Sequence, residues 1–146
     1  MPNIIIIHVG SNDVSPEAID TDAYSAEVGD FLKEIYGKIE QNTTELGSNF
    51  DLRILFSDIL HRPWYDKFQL LEQNTADLLT SITNSKILTE MEGCNWFDTI
   101  QHSEMPKSAW KLFAKFQQPK DNVHLSIAGN MVLLKSIEFV VDHILR

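Results

Sequence analysis

Asn3 to Val9 is apolar at consecutive rather than alternate positions, as a parallel strand covered on both faces requires. This strand runs directly into Gly10-Ser11-Asn12-Asp13, a turn, and Val14 to Asp20 reads as loop. Tyr24, Val28, Phe31, Leu32, Ile35 and Ile39 then recur at helical spacing, with Asp20, Thr21 or Asp22 available to cap the helix and Gln41-Asn42-Thr43 where it should fade. Phe50 to Phe56 predicts a second strand, and His61-Arg62-Pro63-Trp64 a loop. From Asp66 to about Asn84, Phe68, Leu71, Leu78, Leu79 and Ile82 mark a second helix, followed by a short strand near Lys86 to Glu90. Gly93 to Pro106 has no sustained period. Ser108 to Phe116 predicts a short helical segment or packed loop, ended by Pro119. Ile127, Met131, Leu134, Ile137, Val141 and Ile144 describe a final helix capped by Ser126. The order β-α-β-α-β-(loop)-α, with no repeat and no linker, defines an α/β layer domain with a small parallel sheet.

The length supports this as one domain over residues 1–146, enough chain to bury about two-thirds of its extended surface. Cys94 is the only cysteine, so no internal disulfide forms, and no Cys/His cluster has zinc spacing. Neither cofactor nor metal is expected. Twenty-one acidic against twelve basic residues give a formal charge of −9, and residues 1–50 hold nine acidic and two basic residues. That balance disfavours binding to a nucleic-acid backbone. The apolar run Ile4 to Ile7 is far shorter than the roughly 20 residues of a membrane helix, and the start lacks the pattern of a secretory signal. The sequence therefore predicts a cytoplasmic protein without a membrane span.

Ligands in parallel sheets sit beyond the carboxyl ends of strands, where Gly10, Ser11, Asn12 and Asp13 fall. Read locally, the segment is either a tight turn or a site at which the Asn12 amide donates to a developing oxyanion. Asp121-x-x-His124 just before the last helix has two readings as well. It is a helix-start turn, or a pair in which Asp121 orients His124 as a general base toward a hydroxyl nucleophile. His8 is expected as a packed residue of the buried strand, while His61, His102 and His143 have no neighbouring constellation and are expected to face solvent. Cys94 reads as a small buried side chain, and Trp64, Trp96 and Trp110 as either core or cleft residues.

Together, Ile4-Ile5-Ile6-Ile7-His8-Val9-Gly10-Ser11-Asn12-Asp13 and Asp121-Asn122-Val123-His124-Leu125, with Ser126 and Gly129 following, resemble the SGNH hydrolase superfamily, the GDSL-like esterases and lipases. The first block is similar to the family's strand and Gly-x-Asn-Asp motif, the second to its closing Asp-x-x-His-Leu motif, with Leu112-Phe113 shortly upstream. The resemblance implies a three-layer α/β/α, flavodoxin-like parallel sheet. It implies Asn12 and Gly10 in the oxyanion site, Asp121 and His124 as catalytic residues, and a small carboxyl ester as substrate.

The family's Gly-Asp-Ser nucleophile block has no counterpart in this sequence. Gly-Asp occurs once, at Gly29-Asp30, and Phe31 follows it. The family layout puts Ser11 in the oxyanion block and Ser126 at a helix start, so neither replaces the nucleophile. The match thus begins at the family's third strand and describes an N-terminally truncated fold, inactive as this chain. The family's nucleophile strand pairs beside that third strand, so Ile4 to Val9 is expected to be an exposed edge, open to self-association or to a missing N-terminal segment. The competing expectations are a catalytically dead SGNH-like binding or scaffolding module, and an unrelated flavodoxin-like domain for a phosphate or nucleotide. The acidic first half and the missing P-loop argue against the last.

Overall fold

The computed structural model describes residues 3–11, 13–14, 20–45, 51–61, 69–102 and 125–146. Six elements follow in order: β1 (Asn3–Ile7), α1 (Thr21–Glu45), β2 (Leu52–Ser57), α2 (Gln69–Glu90), β3 (Phe97–Ile100) and α3 (Ile127–Leu145). The strands form a parallel sheet in the order β1-β2-β3, with Ile5 opposite Ile54 and Phe56 opposite Thr99. Sequential parallel order makes both crossovers run the same way, which puts α1 and α2 together on one face. With α3 lying against β3 on the other, the layers are α/β/α.

The main core lies between β2 and the α1–α2 pair, joining Leu52, Ile54 and Phe56 to Val28 and Leu32 of α1, Ile87 of α2, and Ile59 and Met91 beyond the elements. Ile54, Leu55 and Phe56 are each at most 1% exposed. Burial of such side chains contributes about 1.5 to 3 kcal/mol apiece. The strand buried on both faces is therefore central β2, whereas β1 departs from expectation. Ile5 and Ile7 pack against the core, but Ile6 on the other face is 41% exposed. Among the described residues β1 is the edge of the sheet, with a neighbour along one side only.

Asp20 supplies the first cap, its Oδ1 accepting from the backbone N–H groups of Asp22 at 3.0 Å and Ala23 at 3.1 Å. Helices α1 and α2 approach closely at Gly29, where a Cβ would sit 2.9 Å from the Glu90 Cβ. Only hydrogen fits there. Three hydroxyls buried on these helices are satisfied internally: Ser25, Thr80 and Thr83 donate to the carbonyls of Thr21, Ala76 and Leu79.

The third strand expected near Lys86 to Glu90 is instead the last turn of α2, and β3 lies at Phe97–Ile100. Thr80, Thr83 and Ile87 extend one inward helical face through this segment, and Met91 continues it beyond the helix end. Asn84, which resembled a helix-ending signal, holds the chain after β2: its side chain accepts from Ile59 N–H at 2.9 Å and donates to Ile59 C=O at 3.0 Å. On α3 the inward face carries buried Gly129 and half-buried Val132, Leu133, Ile137 and Val141, while Ile127, Met131 and Leu134 from the expected stripe are more than half exposed. The apolar arc of this helix is wider than its inward face, so periodicity alone does not centre the inner side. The Ser108 to Phe116 segment lies outside the described residues.

Candidate functional site

Three parallel strands deliver three chain segments to one edge of the sheet. After β1, Gly10 is buried with φ +98°, and a Cβ there would lie 2.6 Å from the Tyr24 hydroxyl oxygen and 2.9 Å from Ile59 Cδ1. Only glycine meets both demands without strain. The turn closes through Asp13 N–H donating to Gly10 C=O at 3.0 Å, and Tyr24 Oη donates to Asp13 Oδ2 at 3.0 Å. Burial first, and the Asp13 carboxylate second, hold the Tyr24 hydroxyl well above its ordinary pKa, so it remains a donor. The Gly10 block is thus a fixed turn at a sheet's carboxyl end. Of the other expected site residues, Asn12, Asp121 and His124 lie outside the described residues. The Ser126 side chain accepts from Gly129 N–H at 3.0 Å, the expected cap at the start of α3.

A polar cluster crosses the same edge. Ser57 Oγ lies 2.6 Å from His8 Nδ1 and 2.6 Å from His102 Nε2, linking the chain after β1, the end of β2 and the chain after β3. Ser57 is fully buried, His102 is half-buried, and His8 is exposed, correcting the expectation of His8 as a core residue. The His102 Nδ1 is buried and has no hydrogen-bond partner. Burial, and secondarily the charge of His8, lower the His102 pKa to about 4. His102 is neutral at pH 7 and does not face solvent as expected. The adjacent residue in sequence to Ser57, Asp58, has its carboxyl pushed up to about 6 by burial.

His61 is also drawn inward, its Nδ1 lying 3.2 Å from Asp77 Oδ1 with side chains 16% and 12% exposed. That pairing pins the loop after β2 to α2, beside the Asn84 clamp. His143 alone of these three histidines is exposed, on the last turn of α3. Trp96 stacks on Tyr36 with centroids 4.2 Å apart, and Cys94 packs half-buried against the core. Trp64 and Trp110 lie outside the described residues.

Among the described residues no group of three or more His, Cys, Asp or Glu is placed to hold a metal ion, and no helix is long and apolar enough to cross a membrane. No protein-family model, curated protein or solved structure matches the chain. Its class therefore rests on its own geometry: a three-layer α/β/α domain with a polar edge at the carboxyl ends of a parallel sheet.

Proposed function

We propose that this chain is an SGNH-like carboxyl-ester hydrolase domain. Gly10 and Asn12 form its oxyanion site, Asp121 and His124 its acid–base pair, and its serine nucleophile is not supplied by these 146 residues. The observation that carries the reading is the Gly10 turn. It is a left-handed glycine with no room for a side chain, fixed by Asp13 and Tyr24 at the end of a parallel edge strand. An oxyanion donor following that glycine would be held before substrate arrives, the condition under which such a donor lowers a barrier by about 3 to 4 kcal/mol. The Ser126 cap accounts for the serine after the closing motif.

In the complete site His124 would take the proton of the serine hydroxyl as it attacks the ester carbonyl, and return it to the leaving alcohol. Asp121 would hold the imidazole and favour its charged form. Water then releases the acid by the same route. Among the described residues β1 pairs only with β2, so its other edge is open for the strand that carries the nucleophile, or for a second copy.

A second reading, a catalytically dead binding or scaffolding module, is favoured by one observation: Gly29-Asp30-Phe31, the sole Gly-Asp in the chain, lies within α1. Hydrolysis of a short-chain activated ester by the 146-residue chain, and by a form extended through the upstream coding region, separates the two. The hydrolase reading expects activity only in the extended form, abolished by His124→Ala. Inactivity of both forms favours the binding module, and activity that survives His124→Ala overturns the proposed acid–base pair.

A further inference from the structure

A serine hydroxyl has one hydrogen to give and two lone pairs to receive with. Ser57 Oγ meets an imidazole nitrogen on each side at 2.6 Å, and its single hydrogen reaches only one of them, so at least one ring must donate to it. The two rings cannot choose their protons independently. We infer that His8, Ser57 and His102 form a one-proton relay across the carboxyl ends of all three strands, a pH-sensitive switch in which charging His8 fixes the tautomer of His102.

When His8 is charged, its Nδ1–H must donate to Ser57 Oγ. Ser57 is fully buried, so its O–H is satisfied by turning to His102 Nε2 as a bare acceptor, and the neutral His102 then carries its hydrogen on Nδ1. That is the buried atom without a partner. The charged state of the switch therefore moves the His102 hydrogen onto a buried atom without a partner, where reversing the serine hydrogen leaves a bare lone pair instead. Charging both rings gives two donors and leaves the Ser57 O–H with no imidazole acceptor, so the second proton breaks the relay. His8 is the exposed ring and takes the first proton, while burial holds His102 neutral.

On the same sheet face, Arg53 and Asp98 lie toward the amino ends, and Arg53 is committed to the Asn95 carbonyl at 2.7 Å. On α3 the inward positions are uncharged, while Lys135, Glu138, Asp142 and His143 are exposed. Asp58 follows Ser57 with its carboxyl raised by burial alone. His8 stands two residues before Gly10, which puts the switch beside the turn of the proposed oxyanion site. Its existence does not depend on that proposal.

Nitrogen-15 NMR of the histidine rings in the full chain, titrated from pH 8 to pH 4, reads both charge and tautomer. The expected result is that His8 charges first, binding its proton at least tenfold more tightly than His102. In the range where only His8 is charged, His102 should be in the Nδ1–H form. Ser57→Ala should return His102 toward the Nε2–H form that a solvated imidazole prefers, and Ser57→Thr, which keeps the hydroxyl, should behave as wild type. An Nε2–H His102 beside a charged His8 in the wild-type chain overturns the relay, as does His102 charging first. The wild-type spectrum decides the matter even where Ser57→Ala does not fold.

Discussion

Asp58 and His102 make opposite demands on pH, and their separation by mutation is the sharpest test of the site's electrostatics. Folding raises the Asp58 pKa from 3.8 to about 6, so its contribution to stability is full below pH 3.8 and is lost as pH rises through 6. Folding lowers the His102 pKa from 6.5 to about 4, so its contribution is full above pH 6.5 and is lost as pH falls through 4. Each full pH unit between folded and unfolded proton affinity is worth about 1.4 kcal/mol, which sets a ceiling of roughly 3 kcal/mol for either group. Both are partly open to water, and screening reduces that to about 2 kcal/mol each. Burial is the main cause in both cases, and neither group acts on the other, so the two slopes add and nearly cancel between pH 4 and pH 6. Asp58→Asn should expose the histidine slope, with stability falling by about 2 kcal/mol from pH 6.5 to pH 4 relative to wild type. His102→Gln should expose the carboxyl slope, with a similar fall as pH rises from 4 to 6. Urea unfolding midpoints at four pH values measure all three curves. Variant curves parallel to wild type, or two variants bending the same way, would refute the assignment of these pKa displacements to burial.

Four further predictions probe the frame. Gly10→Ala, which must place a Cβ 2.6 Å from the Tyr24 oxygen at φ +98°, should lower thermal stability by about 1 to 3 kcal/mol, and Tyr24→Phe in the same chain should restore part of it. Gly29→Ala gains helix propensity of about 1 kcal/mol but meets the Glu90 Cβ at 2.9 Å, so a denaturant melt should show no net gain, in contrast to Gly37→Ala, where nothing lies within 4 Å. Asn84→Ala removes both bonds to the Ile59 backbone and should cost about 2 kcal/mol, seen with accelerated hydrogen exchange at the Ile59 amide. Ile6→Lys places a charge on the exposed face of edge strand β1, and any concentration-dependent association seen by sedimentation should weaken while the fold is kept.

The alternation of strands and helices was legible because each element announces itself locally: a run of isoleucines, a stripe at helical spacing, Asp20 and Ser126 at helix starts. Local signals mislead where a distant contact takes them over. Asn84 followed by Ser85 reads as the end of a helix until Ile59 supplies a backbone to hold, 25 residues away in sequence. Likewise Phe97–Ile100 lacks strand periodicity because its burial is settled by α3 on one side and by β2 beside it. Leu78, part of the apparent stripe of α2, points to solvent at 56% exposed, while Thr80 and Thr83 face inward with hydroxyls bonded to their own helix. Hydrophobicity alone ranks these residues in the wrong order.

The polar edge was hidden for a different reason. Gly10 carries a local signature, a small residue at a strand's end, and its position in the sequence was enough to single it out. Nothing near His8, Ser57 or His102 in the sequence marks them as partners, since 49 residues separate the first pair and 45 the second. Their meeting depends on register, which brings Ile7 opposite Phe56 and Ser57 opposite Ile100, so that the residues just past each strand fall side by side. Placing β3 near residue 88 instead of residue 98 removes His102 from that row altogether. In a parallel sheet the chemistry of the carboxyl edge is therefore read only after the strand ends are known to within a residue, because a shift of one turns a side chain to the opposite face. Here the correct register converts two histidines expected to stand apart into a single proton-sharing unit through Ser57.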